Sequence, residues 1–335
     1  MQPKELKISS IDLGIDLRNE YKPKKKTEQR SDDWFNKRAG SWTGSRIKEL
    51  MACSSRGSRM SWSDDDKIYE FSKGIIKQIY QRAMERKTKR YILTHAGNAA
   101  KFGNLVEPFI KAIGEELIDA KIEEVGYKEF PEFPNAGASS DGICHEHKSI
   151  IEIKACNTWQ THYDRTFDLM NEKSIDFWQT QAEMKAWGYE KGFYLVSEPP
   201  KDVNEYLYHE EAKSILDETF DGDIKELELF QKFKKECGVS VQELKASPFH
   251  QRAMMERIKI CETVCTEWIE KGGDLEELFW QVVDELKGAN VNEVNEIEVN
   301  EPKTIESLNE TEHKNADEDN GITLETPPSF NDIPF

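Results

Sequence analysis

Glu152 and Lys154 stand two apart in Ile150-Ile151-Glu152-Ile153-Lys154-Ala155, and Asp141 lies upstream in Gly137-Ala138-Ser139-Ser140-Asp141-Gly142. Alternate side chains of a strand share a face, so Glu152 and Lys154 project together while Ile151 and Ile153 point the other way. A hairpin that returns Asp141 beside Glu152 puts two carboxylates within reach of one hard cation. That donor set suits Mg2+ or Mn2+, which activates water and neutralises charge on a phosphodiester under attack. A lysine beside it orients or deprotonates the water, or stabilises the charge that develops. Glu-x-Lys alone carries little in a chain this rich in both residues. The conjunction carries more: an apolar strand, a small-residue segment ending in Asp141, and a following helix with Gln179 and Gln181.

The elements that must position these residues show in the pattern. Ser31-Asp32-Asp33 offers N-cap oxygens ahead of Trp34 and Phe35, and Thr43-Gly44-Ser45 offers a second start before Ile47 and Leu50. Helix is predicted over 64–87, 99–114 and 176–187, and strand over 133–139, 150–155 and 193–196, with Asp141-Gly142 as a turn and 144–149 as a hairpin connection. Helices, strands, helix, strand make an α/β core. From about 204 to 286 the sequence reads as helical, with Leu227, Phe230, Phe233, Ile258 and Trp268 as buried positions. The expected organisation is a polar basic arm over 1–29, a core over 30–200, a helical extension over 201–288 and a disordered acidic tail over 289–335.

A net charge of −18 over 335 residues is unusual for a nucleic-acid partner, whose affinity comes largely from phosphate neutralisation. The charge is uneven, however. From Asn290 onward twelve Asp or Glu face two Lys, a net of −10, which with the low aromatic content predicts disorder. Basic residues cluster at Lys22, Lys24, Lys25, Lys26 and Arg30, and again at Arg82, Arg86, Lys87, Lys89 and Arg90. No stretch has the length and apolarity of a membrane span, and the N-terminus lacks a signal-peptide pattern, so a cytoplasmic location is expected. Six cysteines without a CxxC pair read as free thiols, several buried. His145 and His147 read as turn residues, and Trp34, Trp42, Trp178 and Trp187 as core.

Together the segments resemble the Asp…Glu-x-Lys nuclease superfamily, in its lambda-exonuclease-like (YqaJ-type) viral recombination branch. Arg38-Ala39-Gly40-Ser41-Trp42-Thr43-Gly44-Ser45 is similar to the family's Arg-x-Gly-x-x-Thr-Ala-Ser element, with Gly44 for Ala. Phe102-Gly103-Asn104-Leu105-Val106-Glu107 resembles its aromatic-Gly-x-x-x-Glu helix. Gly137 to Gly142 is similar to its Ala-Ser-Pro-Asp-Gly element, with Ser140 for Pro. Ile151 to Cys156 resembles its Glu-x-Lys-Cys-Pro strand, with one extra residue before Cys and no Pro, and Trp178 to Gln181 its Gln-x-Gln helix.

The resemblance implies a mixed central sheet flanked by helices. It also implies that Asp141, Glu152 and the Ile153 carbonyl ligate Mg2+ (or Mn2+), that Glu107 approaches a second ion through water, and that Lys154 and Gln179 position the attacking water. Arg38 and Ser45 would bind a 5′-terminal phosphate. The implied activity is 5′-to-3′ degradation of one strand of linear duplex DNA by a homotrimer ring, leaving 3′ single strands for phage-type annealing. An endonuclease, a nuclease of single-stranded ends and a non-catalytic recombination scaffold are the alternatives. Asp332-Ile333-Pro334-Phe335 resembles the acidic tip of bacterial single-stranded-DNA-binding proteins. It implies a partner that reads that tip, or a single-strand annealing protein.

Overall fold

A buried arginine explains how one part of the chain is tied together. Arg257 donates from Nε to the Ile68 carbonyl (3.0 Å), from Nη1 to those of Leu50 (2.8 Å) and Ala52 (3.2 Å), and from Nη2 to that of Glu70 (2.5 Å). Ser72 N–H also donates to the Ala52 carbonyl at 3.1 Å. Backbone groups at 68–72 are thus spent on tertiary partners, and among the described residues the helix expected over 64–87 begins at Gly74. The computed structural model describes residues 32–52, 68–90, 97–167 and 174–300, with backbone only at 289–300. The basic arm, Cys53, residues 64–67 and the acidic tail from 301 with its Asp332–Phe335 tip lie outside them.

The N-terminal part runs α1 (Asp32–Arg38), β1 (Trp42–Thr43), a 3-10 turn (Gly44–Arg46), α2 (Ile47–Met51), α3 (Gly74–Thr88) and α4 (Asn98–Ile118). The strands follow as β2 (Tyr127–Phe130), β3 (Phe133–Ser139), β4 (Gly142–Cys144) and β5 (Ser149–Lys154). Then come α5 (Trp159–Phe167), α6 (Ile175–Trp187) and β6 (Lys191–Ser197). The mixed sheet expected as one is divided in two. β1 and β2 flank β3, and the second sheet has the order β4-β5-β6-β7, where β7 is Val239–Lys245. β5 pairs antiparallel with β4 and parallel with β6, setting Glu152 opposite Tyr194. Gly142 therefore starts a strand instead of closing a turn, and the hairpin is β4–β5 with its bend at 145–148. Ser140 marks the break between the sheets: its buried hydroxyl lies 2.7 Å from both the Gly142 and Ile151 carbonyls.

The region expected as a helical extension is more than helix. After α7 (Val203–Leu207), α8 (Ala212–Leu216) and α9 (Glu228–Glu236), β7 adds antiparallel to β6 at the sheet edge. α10 (Pro248–Lys271) then returns to pack Ala253, Met254, Ile258, Cys261 and Cys265 into the same core as Trp42, Ile47 and Phe71. β7 alternates poorly, with only Leu244 buried, which is why its sequence does not announce a strand. Leu227, Phe230, Phe233 and Ile258 are buried as expected, and Trp268 is partly so. α11 (Leu275–Asn300) carries helix beyond 289, where disorder was expected; Val291, Val294 and Ile297 recur at a three-residue spacing that suits helix.

α4 and α6 carry site residues and are fixed closely. A Cβ on Gly114 would meet Leu195 Cδ1 at 2.4 Å, so glycine lets α4 approach β6. α6 is capped at its start by Ser174, whose hydroxyl accepts from Asp176 N–H, and at its end by Gly188 at φ +71°. Among the described residues no helix is long and apolar enough to cross a membrane. Replacing Arg257 with Met strands its buried carbonyl acceptors, and stability should fall by about 3 kcal/mol. Urea unfolding measures this; an unchanged midpoint would show that water replaces the guanidinium.

Candidate active site

β5 ends where the chemistry gathers. Glu152 is only 1 % exposed, and its Oε1 accepts from Lys154 Nζ at 2.5 Å and from Gln179 Nε2 at 2.7 Å. Asp141, one residue before β4, sits level with Glu152 across the hairpin, and its Oδ2 accepts the Ile153 N–H at 2.7 Å. Ile153 therefore pins the Asp141 carboxylate with its amide. Gln179 Oε1 accepts from Lys154 Nζ at 3.3 Å. The structure thus brings together Asp141, Glu152, Ile153, Lys154 and Gln179. Glu107 on α4 shares with Ile153 and Lys154 an open cavity of about 330 Å3, also lined by Asn104, Asn157 and Arg165.

Burial and charge move the acids of the site in opposite directions. Glu152 is pushed up to about 8, first by burial and then by the Asp141 charge. Glu183, fully buried one turn beyond Gln179, is raised well above an ordinary carboxyl by burial and by the charges of Glu152 and Asp141. Its Oε1 accepts from Gln179 Nε2 at 2.9 Å, and its carboxyl and that of Glu152 lie within hydrogen-bonding reach. Asp176 is lowered: burial works against its charge, but Lys154 at 3.3 Å, the Tyr194 hydroxyl at 2.7 Å and Arg165 at 3.9 Å outweigh it. Burial likewise works against the Lys154 charge, but Glu152, Asp176 and Asp141 raise it above an ordinary lysine. Lys154 is held as a cation, which favours orienting and charge-stabilising roles over taking a proton.

Among the described residues no N–H or alcohol O–H donor reaches Glu152 Oε2 or Glu183 Oε2, both buried, which leaves them a proton held between the two carboxyls as their complement. A cation placed against these carboxyls would take the place of their protons. Among the described residues no group of three His, Cys, Asp or Glu is gathered to hold a metal unaided. The donors present suit an ion that keeps several waters: two carboxylates, Asp141 and Glu152, with the Ile153 carbonyl. Glu107 lines the cavity and does not complete a ligand cluster with them. His145 and His147 are turn residues, 2.9 Å from the Glu123 carboxylate and 2.8 Å from the Ile118 carbonyl.

The expected phosphate pair also meets. Arg38 is 7 % exposed at the end of α1, stacked over Trp34 at 4.1 Å, and donates to Ser139 Oγ (2.9 Å) and Ser45 Oγ (3.3 Å). Ser139 lies two residues before Asp141, so one stretch of chain joins both groups. Behind them, buried Glu85 on α3 accepts from Gly40 N–H at 2.8 Å and from Arg46 at 3.1 Å, bracing the turn that carries Ser45. The basic cluster expected at 82–90 is partly turned inward. Arg82 is buried against Glu85 at 3.5 Å, and Arg86 pairs with Glu262 and the Gly40 carbonyl. Internal acids claim these guanidiniums, which a count of basic residues does not reveal.

Glu183, Asp176, Arg165 and Tyr194 were missed from sequence. A usable signal was there: Asp176, Gln179 and Glu183 fall at helical spacing on one side of a helix otherwise rich in Phe177, Trp178, Ala182 and Met184. Without metal, the raised Glu152 and Glu183 carboxyls hold protons that the unfolded chain releases above 4.5. Stability therefore falls as pH rises through about 8, whereas lowered Asp176 does nothing in that window. Thermal unfolding in chelator from about pH 5 to 9 should show a falling midpoint, shallower in Glu152→Gln, with Mg2+ restoring it at the alkaline end. A level profile would contradict the burial of these acids.

Residues 33–190 match the model of the YqaJ-like viral recombinase domain. The fold is similar to that of a phage related exonuclease from Haemophilus somnus 129PT, with TM-score 0.50 and 13% identity over 70% of this chain and 96% of that one. Two structures of an alkaline exonuclease, LHK-Exo, from Laribacter hongkongensis also align. One, in complex with dAMP, gives TM-score 0.49 and 18% identity, and the other 0.48 and 17%; each covers 72% of this chain and 95% of that one. No curated protein matches the chain.

Proposed function

Because the chain carries a YqaJ-like viral recombinase domain over residues 33–190, we propose that it is a metal-dependent exonuclease. It degrades linear duplex DNA 5′-to-3′ and leaves 3′ single strands for phage-type annealing recombination. The observation that carries this reading is the buried Glu152 carboxyl, level with Asp141 across the hairpin and held through Oε1 by Lys154 and Gln179. Asp141, Glu152 and the Ile153 carbonyl would hold Mg2+ or Mn2+, and Glu107, lining the same cavity as Ile153, would serve a second ion. When bound, the ion supplies an activated water and neutralises the phosphate. Lys154, already protonated, steadies the charge that develops on the phosphate oxygens, and the Gln179 carbonyl oxygen orients the water. Arg38 and Ser45 receive the 5′-phosphate of the strand being removed, the guanidinium as a fork. That pocket makes the enzyme end-dependent.

The family resemblance carries an assembly with it: a homotrimer ring around the duplex, whose processivity is topological. Asp332–Phe335 recruits a partner, either a protein that reads the tip of single-stranded-DNA-binding proteins or an annealing protein. Deleting those four residues should abolish partner pull-down and leave DNA degradation intact; unchanged pull-down removes this part of the reading.

The activity is tested with end-labelled linear and circular duplexes bearing 5′-phosphate or 5′-hydroxyl ends, with and without Mg2+. Linear DNA alone should be degraded, only with the ion, from the 5′ end, and faster with the phosphate. Lys154→Ala should lose about 10²–10³-fold in kcat, and Arg38→Ala should erase the preference for phosphate. Nicking of circles would make the chain an endonuclease. Full activity in Glu152→Ala would return it to a non-catalytic scaffold.

A further inference from the structure

Gln179 sits at the meeting point of the site, and its orientation is set from two sides. Its Nε2 donates to Glu152 Oε1 at 2.7 Å and Glu183 Oε1 at 2.9 Å, while its Oε1 accepts from Lys154 Nζ at 3.3 Å. The two ends of an amide are nearly alike in shape, so their partners decide which end faces which way. A cation on Glu152 competes for that carboxylate's lone pairs. Glu183, one helical turn away on the same helix, is then the acceptor left to hold the nitrogen. It is fully buried, and a buried carboxylate is costly where an apolar residue of similar size fills the space as well. Packing therefore gives no reason for an acid here.

We propose that Glu183 is a positioning residue: it holds the Gln179 amide nitrogen so that the amide oxygen stays turned to Lys154 and the attacking water. The inference rests on the reading of Glu152 as a metal ligand and of Gln179 as the group that orients water. Outer partners of this kind typically change activity by about 10–100-fold when removed. Glu183 acts through Gln179, so its effect disappears when Gln179 cannot respond.

The test uses the full chain and compares Glu183→Met and Glu183→Gln, each alone and with Gln179→Met. Turnover and KM on linear duplex with Mg2+, calorimetric Mn2+ affinity and the metal-free melting temperature are measured. Glu183→Met should lower kcat about 10–100-fold while KM for DNA ends and Mn2+ affinity stay near wild type. Its metal-free melting temperature should not fall, because an apolar side chain of similar size replaces a fully buried polar group. Glu183→Gln, which keeps a carbonyl acceptor, should recover the larger part of the rate. Adding Glu183→Met to Gln179→Met should lower kcat no further.

Wild-type kcat in Glu183→Met, or losses that multiply in the double variant, would overturn the proposal. So would loss of Mn2+ binding, which would make Glu183 a ligand, or a fall in melting temperature matching the fall in rate. A wild-type chain inert with both Mg2+ and Mn2+ defeats the nuclease reading itself, and this inference with it. An active wild type beside an unaffected Glu183→Met defeats this inference alone.

Discussion

Acids gather around one ammonium, Lys154: Glu152 at 2.5 Å and Asp176 at 3.3 Å pair with it, Asp141 sits level with Glu152 across the hairpin, and buried Glu183 lies beyond Gln179. Like charges kept dry repel, so the surroundings must fix each carboxyl by geometry. β5 places Glu152 and Lys154 on one face, the β4–β5 hairpin brings Asp141 level with them, and the Ile153 amide holds that carboxylate in place. The parallel β5–β6 pair sets Tyr194 opposite Glu152, and its hydroxyl donates to Asp176, which lends Lys154 a second counter-charge. α6 then enters between the sheets carrying Asp176, Gln179 and Glu183 together. Burial and mutual charge raise the Glu152 and Glu183 carboxyls, and a cation placed against them would offset both.

Departures from the family pattern fit the local structure. Gly44 stands where alanine is usual, and a methyl there would meet Ala138 Cβ and Gln179 Cγ at 3.5 Å, ordinary contact. Its position against Gln179 is what matters: the turn bearing Ser45 leans on the helix bearing the site amide. Ser140 replaces proline, and its hydroxyl ties the residue after β3 to the β4–β5 pair by reaching the Gly142 and Ile151 carbonyls, a bond proline lacks the donor to make. Cys156 is buried, its N–H donating to Ser197 Oγ at 3.2 Å, so β5 stays tied to β6 beyond Lys154 without the family's proline.

Much of this was legible because strand chemistry is local. The period of two across Ile150 to Lys154 fixes which side chains share a face, and the cap and glycine around α6 bound it to within a residue. What escaped depends on long-range partners. β7 is an edge strand with little alternation, visible only once β6 offers it a ladder. The start of α3 is delayed because Arg257, nearly two hundred residues later, claims the Ile68 and Glu70 carbonyls. Arg82 and Arg86 read as a basic surface until Glu85 and Glu262 turn them inward. Glu183 is not marked out by its sequence; it is buried because both sides of α6 are covered. In each case burial decides the role, and burial is a property of the whole fold.

In the proposed cation site Asp141, Glu152 and the Ile153 carbonyl are the ligands, next to the cavity that Ile153, Lys154 and Glu107 line. Crystals grown with Mn2+ and measured for anomalous scattering test it most directly. The account predicts a manganese peak bounded by the Asp141 carboxylate, Glu152 and the Ile153 carbonyl, absent in Glu152→Gln. A peak on other residues, or full occupancy in that variant, would contradict it.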